Sequence, residues 1–149
     1  IKTPVYLENK KKLFCIIYCM NLIKILTAEN ENNIEIYNLL EKLFKLIESD
    51  NWLVEFLYLE LNILKSVGYD INFRDYVVDK NINGQIKYIV VSSQKIIPNF
   101  LIDKNISPEN LKDIYNGFSI VGEFLDKTII KPNNKNYPSS RNDFVNLLK

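Results

Sequence analysis

Histidine is absent from the 149 residues. That absence removes most zinc sites, the serine–histidine triads and imidazole acid–base chemistry. Cysteine is nearly absent. Cys15 and Cys19 are the only two, too few for a disulfide framework and without the second pair that structural zinc wants. Arginine occurs twice, at Arg74 and Arg141, and glycine four times. The glycines spell neither the P-loop nor the dinucleotide-binding pattern. No signal peptide is evident. The apolar run Leu13 to Leu26 is interrupted by Asn21 and Lys24 and falls short of the roughly 20 apolar residues of a membrane span.

The catalytic readings that survive these gaps are weak. Ser92-Ser93 and Ser139-Ser140 have no imidazole to activate them. Glu55 and Glu60 stand five apart, on different faces of a helix, and read better as salt-bridging or solvated carboxylates than as a hydrolytic pair. The expectation is a non-enzymatic protein with no metal and no cofactor. A small hydrolase using carboxylates and a divalent metal is the rival, and it requires acids gathered around one cleft.

The residues that are present describe an ordinary folded chain. The composition is 47% hydrophobic and 25% charged, typical of a globular domain. The length suffices for one core. A net charge of +1 does not by itself announce a nucleic-acid binder. The charge is unevenly spread, however. Lys10, Lys11, Lys12 and Lys24 come first, an acidic stretch from Glu29 to Glu60 follows, and Lys131, Lys135, Arg141 and Lys149 close the chain against Asp143. Lysine runs usually form a solvated helix face. The basic tail with Tyr137 can either contact phosphates and stack on a base or form a solvated turn.

Residues 1–9 are expected to be extended or disordered, and residues 10–149 to form a single helical domain. A helix over 10–28 is apolar around much of its circumference, and it puts Cys15 and Cys19 on one face as buried reduced thiols, in keeping with a reducing compartment. Asn30, Asn32 and Asn33 suit a turn. Apolar residues at 34, 37, 40, 43, 44 and 47 give a second helix one core-facing stripe. Ser49 or Asp50 is placed to cap a third helix, about 51–67, which is apolar nearly all round and belongs in the middle of the bundle. Gly68 stops it.

The segment from 69 to 100 changes character. Tyr76-Val77-Val78 and Ile86 to Val91 are short and β-prone, and Asn83-Gly84 joins them as a hairpin. A third piece at Ile96 and Ile97 is kept at an edge by Pro98. Ser107-Pro108 reads as a helix start, and the helix after it carries Leu111, Ile114, Tyr115, Phe118, Val121, Gly122, Leu125 and Ile129 on one face. Gly117 and Gly122 cost that helix about 1 kcal/mol each in propensity, which a close approach of a neighbouring element would explain. Pro132 ends it. Ser140-Arg141-Asn142-Asp143 resembles a capping box before a last short helix. The fold class is therefore mainly α, a bundle of about five helices with a small β-hairpin insertion near 76–98.

Two stretches resemble a known family. Tyr58-Leu59-Glu60-Leu61-Asn62-Ile63-Leu64 followed by Val67-Gly68-Tyr69 is similar to the helical core of RecO proteins, where an FELxLL-like run ends in a Leu-Gly-Tyr-like stop. Gly122, Phe124, Leu125, Pro138 and Arg141 are similar to the family's Gly-x-Phe-Leu turn and Leu-Pro-x-x-Arg ending. Many relatives follow the first motif with a Cys-x-x-Cys that opens a zinc ribbon. Tyr76 and Asp79 stand there in this chain, so the hairpin region resembles a degenerate zinc ribbon from which zinc is expected to be absent. The likeness is to the C-terminal helical part of RecO. The family's N-terminal OB-fold barrel is not among these residues, and Ile1 in place of Met suggests a missing upstream part.

The resemblance implies a mediator of DNA repair and recombination in the RecF pathway, cytoplasmic and nucleoid-associated. It implies binding to single- and double-stranded DNA, annealing, recombinase loading, and partnership with RecR and the tail of single-strand-binding protein, with no membrane. It places Arg141 at the family's Pro-x-x-Arg position, where a guanidinium can pair with a carboxylate or phosphate through two parallel hydrogen bonds or lock the tail onto the bundle. Arg74, Lys131 and Lys135 are candidate nucleic-acid or partner contacts from charge alone. The alternative is a generic helical protein-interaction module with no nucleic-acid role, which the near-neutral charge favours.

Overall fold

The computed structural model describes residues 5–27 and 34–149. Nine elements follow in chain order: α1 (Val5–Leu26), α2 (Ile34–Leu46), α3 (Trp52–Ser66), β1 (Val77–Ile82), β2 (Gln85–Val90), β3 (Ile96–Ile97), α4 (Asn99–Ile102), α5 (Leu111–Leu125) and α6 (Ser139–Asn146). The chain is a helical assembly carrying a small antiparallel sheet, as the patterning predicts. Helix α1 starts at Val5, so residues 5–9 are helical rather than extended. The asparagine turn at Asn30, Asn32 and Asn33 lies outside the described residues.

Helix α3 is the centre. Trp52, Phe56, Leu57, Leu59, Glu60, Ile63 and Leu64 are buried along it. A helix apolar on so many sides is stable only when neighbours cover it all round; α1, α2 and α5 do so. It starts at Asn51 without a side-chain cap. Neither Ser49 nor Asp50 fills that role, because the Ser49 hydroxyl is committed to Glu55 Oε2 at 2.9 Å. Its end is a Schellman closure: Gly68 takes φ +100°, its N–H donates to the Lys65 carbonyl at 3.0 Å, and the Tyr69 N–H donates to Leu64 at 2.8 Å. That left-handed φ is open to glycine without strain.

The first two helices bury less than their patterns promise. On α1 the core takes Cys15, Tyr18, Cys19 and Leu22, while Leu13, Ile17 and Met20 are exposed. On α2 the buried stripe is Leu39, Leu43 and Ile47. Tyr37 and Phe44, expected inside, face outward. Leu40 and Leu46 pack partly buried beside that row, and Tyr37 and Phe44 fall on the far side of the helix.

The hairpin is as expected. Asn83 (φ 54°) and Gly84 (φ 83°) make the two-residue turn whose twist suits antiparallel strands. Val77 pairs with Val90 and Ile82 with Gln85. Strand β3 sits on the other edge of β2, with Tyr88 opposite Ile97. Val90 and Ile97 anchor the sheet in the common core.

Two later expectations shift. Helix α5 begins at Leu111, three residues after Pro108, because Asn110 caps it by accepting from the Asp113 N–H at 2.9 Å. Leu111 is exposed, whereas Phe118, Val121, Gly122, Leu125 and Ile129 are buried. Helix α6 begins at Ser139 after Pro138 and has no side-chain cap. Ser140 instead accepts from Asn21 Nδ2 at 2.8 Å, tying α6 to α1. Between α5 and α6 the chain makes one π-helical turn over Asp126–Ile130, closed by the Lys131 N–H on the Asp126 carbonyl at 2.9 Å. The wider winding lets both Ile129 and Ile130 reach the core.

Candidate functional site

The largest concentration of polar chemistry is buried. Glu60 is fully enclosed and Arg141 is 2% exposed. Arg141 donates from Nε to Glu60 Oε2 at 2.9 Å and from Nη2 to Glu60 Oε1 at 3.0 Å. Its Nη2 also donates to the Phe118 carbonyl at 2.8 Å, and its Nη1 to the Tyr137 hydroxyl at 3.2 Å. The Tyr18 phenol donates to Glu60 Oε2. One guanidinium thus joins α1, α3, α5 and α6. Its plane also lies 5.7 Å from the Tyr18 ring centroid and 5.8 Å from that of Phe118.

The electrostatics are those of a closed pair. Burial pushes the Tyr18 phenol well above its ordinary range, and the Glu60 charge adds to the rise. Burial opposes the charge on Arg141, but the Glu60 carboxylate, with Tyr18 and Tyr137, outweighs it and holds the proton firmly. A charge taken from water is tolerable only when paired and hydrogen-bonded this fully. Gly122 provides the room: a Cβ there would lie 2.5 Å from Arg141 Nη1 and 3.0 Å from the Tyr137 hydroxyl. Gly117 does the same service for Phe100 and Leu57, at 2.8 and 3.0 Å. Of the two roles open to Arg141, its position favours the lock. Tyr137 is half-buried with its hydroxyl on Arg141, so it is a support for the lock.

The other candidate cations lie at the surface. Arg74 is exposed in a single 3-10 turn, Phe73–Tyr76, whose Asn72 cap accepts from the Arg74 N–H at 3.2 Å. Phe73 and Tyr76 flank Phe124 of α5, with ring centroids 5.2 and 4.9 Å away. The Lys131 ammonium is 3.2 Å from Asp126 Oδ2 and well exposed. Lys135 donates to the Ile25 carbonyl in the last turn of α1, a natural position for a cation. Between these lysines, Asn133 donates to the Tyr69 hydroxyl at 3.2 Å and to the Ile129 carbonyl at 2.7 Å. The end of α1, the loop after α3 and the 131–135 turn therefore meet at one end of the bundle. Tyr69, five residues before Arg74, is thus tied to the turn that bears Lys131 and Lys135; no contact joins Arg74 itself to either lysine among the described residues.

Sequence patterning alone does not reveal Glu60 as the partner of Arg141. A signal for it exists: an acid in the middle of an all-round apolar helix must be buried, and a buried acid calls for a cation. Cys15 and Cys19 are buried free thiols. Burial drives the Cys15 thiol well above its ordinary range and pushes Cys19 up to about 12. Among the described residues no group of three or more His, Cys, Asp or Glu is arranged to hold a metal ion. Tyr76 closes the 3-10 turn and Asp79 lies in β1 facing Tyr88. No helix in the described residues is long and apolar enough to cross a membrane.

Residues 7–129 match the model of the family described as Recombination protein O C terminal. The chain belongs to that family. The RecO C-terminal family match takes in α3, the sheet, all of α5 and most of α1, which are the elements that carry Tyr18, Glu60, Phe118 and Gly122. The sequence is also 23% identical, over 163 aligned positions covering 96% of this chain, to the DNA repair protein RecO of Ehrlichia chaffeensis. It spans 66% of that relative's length. No solved structure matches. Arg141 lies beyond the family match, so its bond to Glu60 ties the remainder of the chain onto the matched bundle.

Proposed function

We propose that this chain is the helical part of a mediator of DNA repair and recombination, acting by binding DNA and protein partners and catalysing no reaction. The observation that carries the reading is the RecO C-terminal family match across residues 7–129; the name of the Ehrlichia relative, a DNA repair protein, agrees with it. Single- and double-stranded DNA, RecR and the tail of single-strand-binding protein are the proposed partners, and the cytoplasm near the nucleoid the proposed location. The buried lock serves this work by holding the helices rigid, because surfaces presented to partners work best on fixed supports. Arg74, Lys131 and Lys135 are the proposed phosphate contacts, since Arg74 and Lys131 are exposed cations, Lys131 and Lys135 share one turn, and basic side chains at a surface suit backbone phosphates.

The test is a gel shift with single-stranded DNA across a salt series, beside pull-downs with RecR and single-strand-binding protein. Binding that falls steeply with salt, with at least one partner retained, supports the proposal. Loss of all three leaves a helical interaction module without a nucleic-acid role, the reading the net charge of +1 favours.

A further inference from the structure

One rung of the sheet carries two like charges. Lys80 of β1 stands directly opposite Lys87 of β2, which sets their Cβ atoms about 5 Å apart. Like charges so placed destabilise a sheet. Side chains alternate between the two faces of a strand. Val90 and Ile97 point into the core, so Lys80 and Lys87 lie on the outer face. Nothing on that face relieves the repulsion. Their neighbours two positions away are Val78 and Ile82 on β1, and Gln85 and Ile89 on β2, all uncharged. Asp79 projects from the other face, opposite Tyr88. Lys87 also borders a cavity rimmed by Glu109, Asp113 and Lys112, but the Asp113 carboxylate is taken by the Glu109 N–H at 2.9 Å. Among the described residues no carboxylate forms an ion pair with either lysine.

Beside the charged rung lies an apolar one. Val78 opposes Ile89, and Ile89 opposes Ile96; Val78 and Ile96 are each 52% exposed. Gln85, next to Lys87 on the same face, adds an amide donor. We propose that Lys80 and Lys87 clasp a phosphate of a nucleic-acid strand laid across the outer face of the sheet. Two ammonium groups are point charges without a fork. They suit a phosphate better than the planar carboxylate that arginine recognises. A bound anion turns the repulsive rung into an attractive one. The apolar rung gives sugars and base edges a surface to rest on, and an open sheet face leaves room for a strand to pass. A free phosphate ion would use the lysines and leave that apolar row in water. The inference rests on the DNA-binding reading above and adds to it a contact on the hairpin.

The test compares the full 149-residue chain with Lys80→Gln and with the double variant that adds Lys87→Gln. Without ligand, Lys80→Gln is expected to melt about 1–3 °C above the wild type, because one of two opposed charges is gone. A midpoint no higher than the wild type's shows that the opposed charges cost the sheet nothing, and overturns the proposal. With a labelled thymidine oligonucleotide over a salt series, the double variant is expected to bind more weakly. Its slope of log affinity against log salt should be lower by about 0.7, the share of one phosphate. Binding and slope equal to the wild type's overturn this inference alone. A wild type that binds no oligonucleotide brings down the DNA-binding reading with it. The last arm sets inorganic phosphate against chloride at equal ionic strength. General stabilisation by phosphate is common to both proteins. Extra stabilisation of the wild type alone, with oligonucleotide binding unchanged in the double variant, assigns the pair to a free ion and overturns the strand.

Discussion

Arg141 grips Glu60 with two parallel hydrogen bonds of 2.9 and 3.0 Å across 81 residues of sequence. Both side chains are almost wholly out of water, so the pair holds α6 to α3 from inside the bundle. Each partner is intolerable there without the other.

Arg141→Met or Glu60→Gln is therefore expected to destabilise the fold by ~3–5 kcal/mol, the cost of stranding one buried charge or its hydrogen-bonding partners. Replacing both, Arg141→Met with Glu60→Leu, should recover much of the loss, since an apolar pair of similar volume removes the desolvation cost on both sides. Urea denaturation of the three variants reads this directly. Additive losses in the double variant would show that the two residues act separately.

Gly122→Ala should destabilise even though alanine is the better helix former by about 1 kcal/mol. The new methyl would meet Arg141 Nη1 at 2.5 Å, and that nitrogen cannot retreat without breaking its hold on Tyr137. A net loss of ~1–3 kcal/mol is expected from overpacking. The loss should shrink in an Arg141→Met background, where a flexible thioether can move aside.

The thiols and Tyr18 make stability fall in alkali. In the folded chain burial keeps Cys15 well above its ordinary value, and Cys19 moves from 9.0 to about 12. Between pH 9 and about 12 the unfolded thiol gives up its proton while the folded one keeps it. The unfolded state then binds fewer protons, so stability is fully present below the lower value and is lost as pH rises through the window. The Tyr18 phenol acts in the same direction. Thermal melts from pH 8 upward should show a steadily falling midpoint. Iodoacetamide should leave both cysteines of the native protein unmodified at pH 8, because the thiolate is the reacting form.

Removing the surface cations tests the proposed DNA contacts. Arg74→Ala, Lys131→Ala and Lys135→Ala should each weaken retention of single-stranded DNA. Each should also lower the slope of log affinity against log salt by about 0.7 for every phosphate no longer neutralised. Lys135→Ala should in addition loosen the end of α1, whose Ile25 carbonyl it caps, and hydrogen exchange in that turn should rise. An unchanged salt slope in all three would remove these residues from the interface.

Local chemistry was legible wherever one residue decides one feature. Gly68 stops α3, Asn83-Gly84 turns the hairpin, and the all-round apolar character of α3 places it centrally; each is a short-range rule about φ or burial. The sequence misleads where two local options compete. Ser107-Pro108 and Asn110 both suit a helix start, and the Asn110 carboxamide wins by reaching the Asp113 N–H. Tyr37 and Phe44 fit a helical stripe, yet α2 turns the neighbouring arc through Leu39 and Leu43 to the core and leaves them outside. The lock was half legible: Glu60 on α3 and Arg141 near Pro138 are each conspicuous, but their partnership crosses 81 residues and no spacing rule reaches that far.

The Glu60–Arg141 bond also sets an expectation for the order of folding during translation. The ribosome makes Glu60 along with α3, well before α5 and α6 emerge. Until Arg141 arrives the carboxylate has no cation, and packing α3 into a closed core would bury a bare charge. Closure of the core around α3 is therefore expected to wait for Arg141, leaving apolar surface exposed in a period when such surfaces are prone to aggregate, with α6 as the piece that allows the core to shut.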